Sequence, residues 1–129
     1  MKFLPLRRVA FVRIAAGVLA QTPNQAGQSS SECENPVTTA AMRTCEAARY
    51  ATAQRELEIA YRGLMDHLDS GQKERLRVTQ KAWLRFRDAN ANFQAGLAQD
   101  GTLAPLLRIG SLTEMTKARA LELKKETLR

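Results

Sequence analysis

The chain is 129 residues long, 44% apolar and 26% charged, with a formal net charge of +7. That length suits one domain with a core of its own and excludes two full ones. Aromatics make up only 5% of the residues, so the core must be mostly Leu, Ala and Met. Stretches rich in Ala, Leu, Glu, Lys, Arg and Gln, with only four Pro and seven Gly, point to an all-α fold.

The first twenty residues carry Lys2, Arg7, Arg8 and Arg13 and no acid. A basic start, a mostly apolar stretch from Val9 to Ala20 and a small-residue site at Val18-Leu19-Ala20 predict a signal peptide over 1–20, with Gln21 as the new N-terminus. Arg13 interrupts its apolar part. Removing this segment leaves sixteen basic and thirteen acidic residues, a net +3. The charge then gives little reason to expect nucleic-acid binding. No apolar run is long enough to span a bilayer, and a periplasmic or secreted protein is expected.

Residues 21–31, QTPNQAGQSSS, read as a flexible linker, which leaves 32–129 as the folded domain. Cys33 and Cys45 agree with an oxidising compartment. In one straight helix, residues twelve apart would be separated by about 18 Å, whereas bonded cysteines need Cα atoms within about 7 Å. A bond therefore demands a turn, for which Asn35-Pro36 is suited. Two separate buried thiols are the alternative.

A first helix is predicted from Thr38 to Leu68, with an apolar stripe through Met42, Cys45, Ala53, Leu57, Ala60, Tyr61, Leu64 and Leu68, interrupted at Arg49. Arg43, Glu46, Arg55, Glu58, Arg62 and Asp66 take the solvated side, and Ser70-Gly71 stops the helix. A second helix is expected over 72–97. Its seam repeats every seven residues, as Leu76, Trp83, Asn90 and Leu97 and again as Thr79, Phe86 and Phe93, and is suited to lying antiparallel against the first helix. Gln99-Asp100-Gly101 reads as a turn. A third helix either starts at a Thr102 cap, with Pro105 in its first turn, or restarts at the capping-box pattern Ser111-Leu112-Thr113-Glu114. Leu112, Met115, Ala120 and Leu123 form its buried side. The expected architecture is a three-helix antiparallel bundle with a short disulfide-stapled N-terminal segment.

No chemistry emerges from the motifs. His67, the one histidine, sits near a helix end without a cysteine pair at metal-binding spacing, and reads as a helix-terminal structural residue. Ser29, Ser30 and Ser31 lack the strand–turn–helix setting of an activated serine, and no Gly-rich phosphate loop is present. Glu56, Glu58, Asp66 and Asp69 sit on a charged, exposed side where little would tune them for catalysis. No catalytic residue, metal site, cofactor or small-molecule substrate is expected. Lys73, Arg75, Arg77, Lys81, Arg85 and Arg87 form a basic cluster, with Arg77, Lys81 and Arg85 on one face. It is either a solvated face covering apolar surface or a site for a phosphate-rich partner.

The segment Thr79-Gln80-Lys81-Ala82-Trp83-Leu84-Arg85-Phe86-Arg87-Asp88-Ala89 resembles the signature of the LprI-type lysozyme-inhibitor family, a helix with a Gln, an Ala-Trp pair, an aromatic and Arg-Asp-Ala. The flanks agree. Cys33 and Cys45 have the spacing of that family's first cysteine pair. Glu56-Leu57, Tyr61, Leu64 and Leu68 resemble its first helix, with Glu58 in place of the usual Asn, and Thr116, Arg119 and Leu123 resemble its closing element. The likeness covers about residues 33–123. It implies that Cys33 and Cys45 bond to each other. The family's frequent second pair is replaced here by Ala91 and Ser111, a lost staple worth about 2–4 kcal/mol.

The signature residues Leu57, Tyr61, Gln80, Trp83, Phe86, Arg87, Asp88, Thr116 and Arg119 are expected to serve structure, with Trp83 and Phe86 packed in the core; partner binding is the alternative for Arg87 and Asp88. Arg87 with Asp88 or Glu114, and Arg119 with an acid of the first helix, are candidate ties between helices. The resemblance implies a protein partner, a lysozyme, whose cleft would be blocked by a projecting polar element. The loop from Gln94 to Thr102 is the candidate, above all Gln99, Asp100 and Gly101. The competing expectation is a cell-envelope interaction or stress module that binds an anionic partner through Arg77, Lys81 and Arg85.

Overall fold

A computed structural model of the protein describes residues 33–129. The expected leader 1–20 with its cleavage site, the linker 21–31 and Ser29 to Ser31 lie outside the described residues. The described residues form three helices, α1 (Thr39–Asp66), α2 (Ser70–Gly96) and α3 (Ala104–Thr127), and no strand.

Each helix start has a local cause. Thr38 caps α1 by accepting from the Ala41 amide. Asp69 caps α2 in a full capping box: its carboxylate accepts from the Gln72 amide at 2.8 Å, and the Gln72 side chain accepts from the Asp69 amide at 3.0 Å. Ser70-Gly71 therefore opens α2, whereas the sequence reading made it the stop of α1. The actual stop is His67, whose amide bonds Leu64 and Met65 carbonyls and whose Nδ1 lies 2.7 Å from the Gly63 carbonyl. α3 has no side-chain cap. Leu103 takes the cap position in place of the expected Thr102, Pro105 falls in the first turn where a missing N–H costs nothing, and the helix passes through Gly110 and Ser111 without a break.

α1 and α3 run parallel in close contact, α2 runs antiparallel to α3, and the backbones of α1 and α2 scarcely approach each other. This departs from the expected direct hairpin of the first two helices. Small residues, buried Ala53 on α1 and Ala120 on α3, let those two helices come close. Between α1 and α2 stand Tyr50, Trp83 and Arg87, which hold the pair apart. The apolar core is Leu57, Leu64, Ala120 and Leu123, with Ala60, Tyr61, Leu68, Leu76 and Trp83 packed against it.

The register of two stripes differs from the sequence reading. On α1 the inward row runs Glu46, Tyr50, Ala53, Leu57, Ala60 and Leu64, so Arg49 does not interrupt it but lies outside it. On α2 the inward row is Leu76, Gln80, Trp83, Arg87, Asn90, Ala91 and Gln94. Leu76, Trp83 and Asn90 were expected there. Thr79, Phe86, Phe93 and Leu97 were expected inside and are exposed, with Phe86 and Phe93 keeping 62% and 63% of their surface in solvent.

The N-terminal segment is stapled as expected. Cys33 and Cys45 form a disulfide with Cα atoms 5.5 Å apart, and Cys45 is buried in the first turns of α1.

Candidate functional site

The signature residues converge on one place, the junction of the three helices around Trp83. The Arg87 guanidinium lies over the Trp83 ring at 5.4 Å and over the Tyr50 ring of α1 at 5.8 Å. The Arg119 guanidinium of α3 lies over the same Trp83 ring at 5.8 Å. Both arginines are almost fully buried, at 8% and 7% exposure. Charges so placed are tolerable only when paired and hydrogen-bonded.

The pairing has a common design. Arg87 donates from Nε and Nη2 to Asp88 Oδ1, at 2.9 and 2.8 Å, and approaches Thr116 Oγ1 at 3.5 Å. Arg119 donates from Nε to Gln80 Oε1 at 3.1 Å and pairs with Glu122 at 2.8 Å. Each buried guanidinium thus reaches a carboxylate at the protein surface, while its planar face covers an aromatic ring. Among the described residues no buried side-chain nitrogen or oxygen lacks a hydrogen-bond partner. The arrangement is polar, fully satisfied and closed. It binds three helices together and leaves no cleft for a substrate.

One of the two expected ties is corrected. Arg87 pairs with Asp88, the first of its two expected partners, and not with Glu114, and its reach between helices comes from Thr116 and Tyr50. Arg119 pairs with Glu122 on its own helix and with Gln80 on α2, not with an acid of α1, because its side chain is drawn across Trp83 toward α2. Of the signature residues, Leu57 and Tyr61 belong to the apolar core, and Phe86 points away into solvent. Sequence reasoning missed Tyr50, which completes the stack, and Thr113, which is wholly buried and bonds the Ile109 carbonyl. The seven-residue row Gln80, Arg87 and Gln94 was the available signal.

A second tie joins α2 and α3 beyond this cluster. Asn90 donates to Ser111 Oγ at 3.1 Å, and Arg108 donates to Asn92 at 3.0 Å. Ala91 is fully buried beside it. Ala91 and Ser111, where the family resemblance implied a second cysteine pair, therefore lie on facing stretches of α2 and α3.

The family model of lysozyme inhibitor LprI matches residues 30–123. The chain belongs to the LprI lysozyme-inhibitor family. A relative of the same chain length range, an uncharacterized protein of Rhizobium meliloti (strain 1021), is 28% identical over 91% of this chain and 94% of its own. No solved structure matches. The LprI family is one of inhibitors and not of catalysts, which is compatible with a protein that is not an enzyme, and it points to an extracytoplasmic protein with a protein partner. The disulfide is consistent with export, and no helix among the described residues is long and apolar enough to cross a membrane.

The remaining candidate residues are exposed. Arg77, Lys81 and Arg85 project from α2, and Arg77 bonds Glu74 at 3.2 Å. Gln99, Asp100 and Gly101 form the tip of the α2–α3 connection. Gln99 and Asp100 both adopt left-handed backbone, φ 48° and 57°, a conformation L-residues avoid unless the surrounding chain holds them there. Bonds from the Gln99 amide to Gly96, from Gly101 to Ala98 and from Ala104 to Gly101 do so. Asp100 shares the rim of a shallow depression with Arg43 and Thr39 at the start of α1.

Proposed function

We propose that this protein is an exported inhibitor that blocks the substrate cleft of a lysozyme with the Gln94–Thr102 connection, the tip Gln99-Asp100-Gly101 leading. The observation that carries the reading is the tip itself: two consecutive polar residues held in left-handed backbone at the exposed end of a rigid bundle, in a member of an inhibitor family. A loop ordered before binding loses little freedom on docking. A glycosidase cleft offers hydrogen-bonding groups for sugar and a pair of carboxyl groups beside the scissile bond. The Asp100 carboxylate supplies acceptors for the former, and the Gln99 amide supplies donors for the latter.

The Trp83 cluster serves this function indirectly, by fixing how the ends of α2 and α3 meet at the loop. Export rests on the predicted leader at 1–20, with the disulfide in support. A net charge near +3 without the leader offers no long-range attraction to a basic lysozyme, so affinity comes from short-range fit. Removing the tip's contacts should accordingly slow nothing in the encounter and speed release.

The test is Asp100→Ala, alone and with Gln99→Ala, in an inhibition assay beside thermal melts. The reading expects inhibition to weaken by about tenfold or more, with little change in melting temperature. Undiminished inhibition by the double variant overturns the tip as the blocking element. The envelope-module reading, through Arg77, Lys81 and Arg85, requires steeply salt-dependent binding to an anionic partner. The pairing of Arg77 with Glu74 already lowers the charge of that face.

A further inference from the structure

The outer face of α2 carries a second seam that no other described residue covers. Both phenylalanines of the described residues, Phe86 and Phe93, lie on it, each more than 60% exposed, with Val78 and Leu97 at its two ends. Thr79, Phe86 and Phe93 form one seven-residue row. Arg75, Ala82, Ala89 and Gly96 form the other, three or four residues away. All seven are exposed. This is the a/d arrangement of a helix that packs on another helix, and it is separate from the inward row that packs on α3. Exposed aromatics at such spacing mark an interaction surface more than an ordinary solvated face.

The sizes along the seam identify the occupant. From residue 82 to 96 one row is large, Phe86 and Phe93, and the other small, Ala82, Ala89 and Gly96. Parallel pairing of two such helices would set Phe against Phe and Ala against Ala, giving layers alternately overfilled and empty. Antiparallel pairing about an axis level with Arg87 and Asp88 sets each large residue against a small one. Phe86 meets Ala89 of the second copy, Phe93 meets Ala82, and Thr79 meets Gly96. Alternation of large and small across facing positions is how helix interfaces fill space, and an isologous twofold contact requires this self-complementarity. Nothing lies within 4 Å of where a Cβ on Gly96 would sit, so its place in the small row is open. The apolar side chains from two copies offer on the order of 1,000 Å² for burial, the lower bound of a specific interface.

We propose that α2 of one molecule pairs antiparallel with α2 of a second copy through Phe86, Phe93, Ala82 and Ala89, forming a twofold dimer. This proposal does not depend on lysozyme being the partner.

Light scattering on the folded, oxidised protein tests it. The expected mass is twice that of the chain at micromolar and higher concentrations, falling toward one chain on dilution. Phe86→Asp with Phe93→Asp should be monomeric at every concentration with unchanged helix content. Ala89→Trp, which fills the hole opposite Phe86, should weaken the dimer by about tenfold or more and serves if the double variant does not fold. For orientation, Thr79→Cys with Gly96→Cys should yield, with a short thiol crosslinker, a link between 79 of one copy and 96 of the other. A monomer at the highest soluble concentration overturns the proposal, including the case where another protein or a lipid surface takes this face. So does a dimer that survives both face variants, or a crosslink that joins only 79 to 79.

Discussion

Arg87 separates a structural role for the signature from a partner-binding one. Its side chain is 8% exposed, lies on the Trp83 and Tyr50 rings and donates twice to Asp88. Arg87→Ala removes two cation–π contacts, about 0.5–2 kcal/mol each where partly desolvated. It also removes the packing of the stem, about 0.8 kcal/mol per buried methylene. Asp88 is half exposed and rehydrates once its partner is gone, so loss of that ion pair adds under about 1 kcal/mol. Allowing for relaxation, the expected cost is about 2–4 kcal/mol. For a domain of this size, that lowers the melting temperature by about 10–25 °C. Arg87→Lys keeps the charge but loses the planar face, and should cost about half as much. The assay is thermal and urea unfolding of the oxidised protein, with inhibition measured well below the melting range. A melting temperature within about 2 °C of the parent for Arg87→Ala, accompanied by lost inhibition, would refute the reasoning and make the cluster a binding site.

Three further outcomes are expected. Replacing both cysteines, Cys33→Ala with Cys45→Ala, opens a loop of twelve-residue separation and should cost about 3 kcal/mol, read from urea unfolding; an unchanged midpoint would show the staple to be idle. Ala91→Cys with Ser111→Cys should form a second disulfide between α2 and α3, where Asn90 already bonds Ser111, and add about 3 kcal/mol. Free thiols in the oxidised variant would show that the two positions do not face each other. Gly63→Ala lies within α1 with nothing within 4 Å of the added Cβ and should stabilise by about 0.5–1 kcal/mol, seen as a higher urea midpoint at unchanged slope.

The helices were legible because their apolar positions recur at three and four, and because Thr38 and Ser70-Gly71 punctuate the chain within a residue or two of the observed ends. The phase of α2 was half legible. Leu76 and Trp83 stand where hydrophobicity puts them, but the other inward row is Gln80, Arg87 and Gln94. A reading that ranks Phe above Arg places Phe86 and Phe93 inside. What reverses the order is tertiary: Arg87 and Arg119 bury flat faces on Trp83 while their carboxylate partners stay at the surface. Trp83 and Asp88 stand near Arg87 on α2, but Arg119 and Tyr50, which close the cluster, come from the other two helices and are not visible along α2. Tyr50 was missed for the same reason, since its role depends on a side chain from α2. The Cys33–Cys45 bond agrees with what the family resemblance implied. The close hairpin of the first two helices is not formed: their side chains meet through Tyr50, Trp83 and Arg87, while the close backbone approach is between α1 and α3.

The most direct test of the account is a titration of lysozyme activity on bacterial cell walls with the oxidised, leader-free protein, using lysozymes of different types. The account predicts inhibition that saturates at a fixed ratio of inhibitor to enzyme for at least one type and is relieved by Asp100→Ala. A folded protein that leaves every lysozyme type fully active at large molar excess would contradict it.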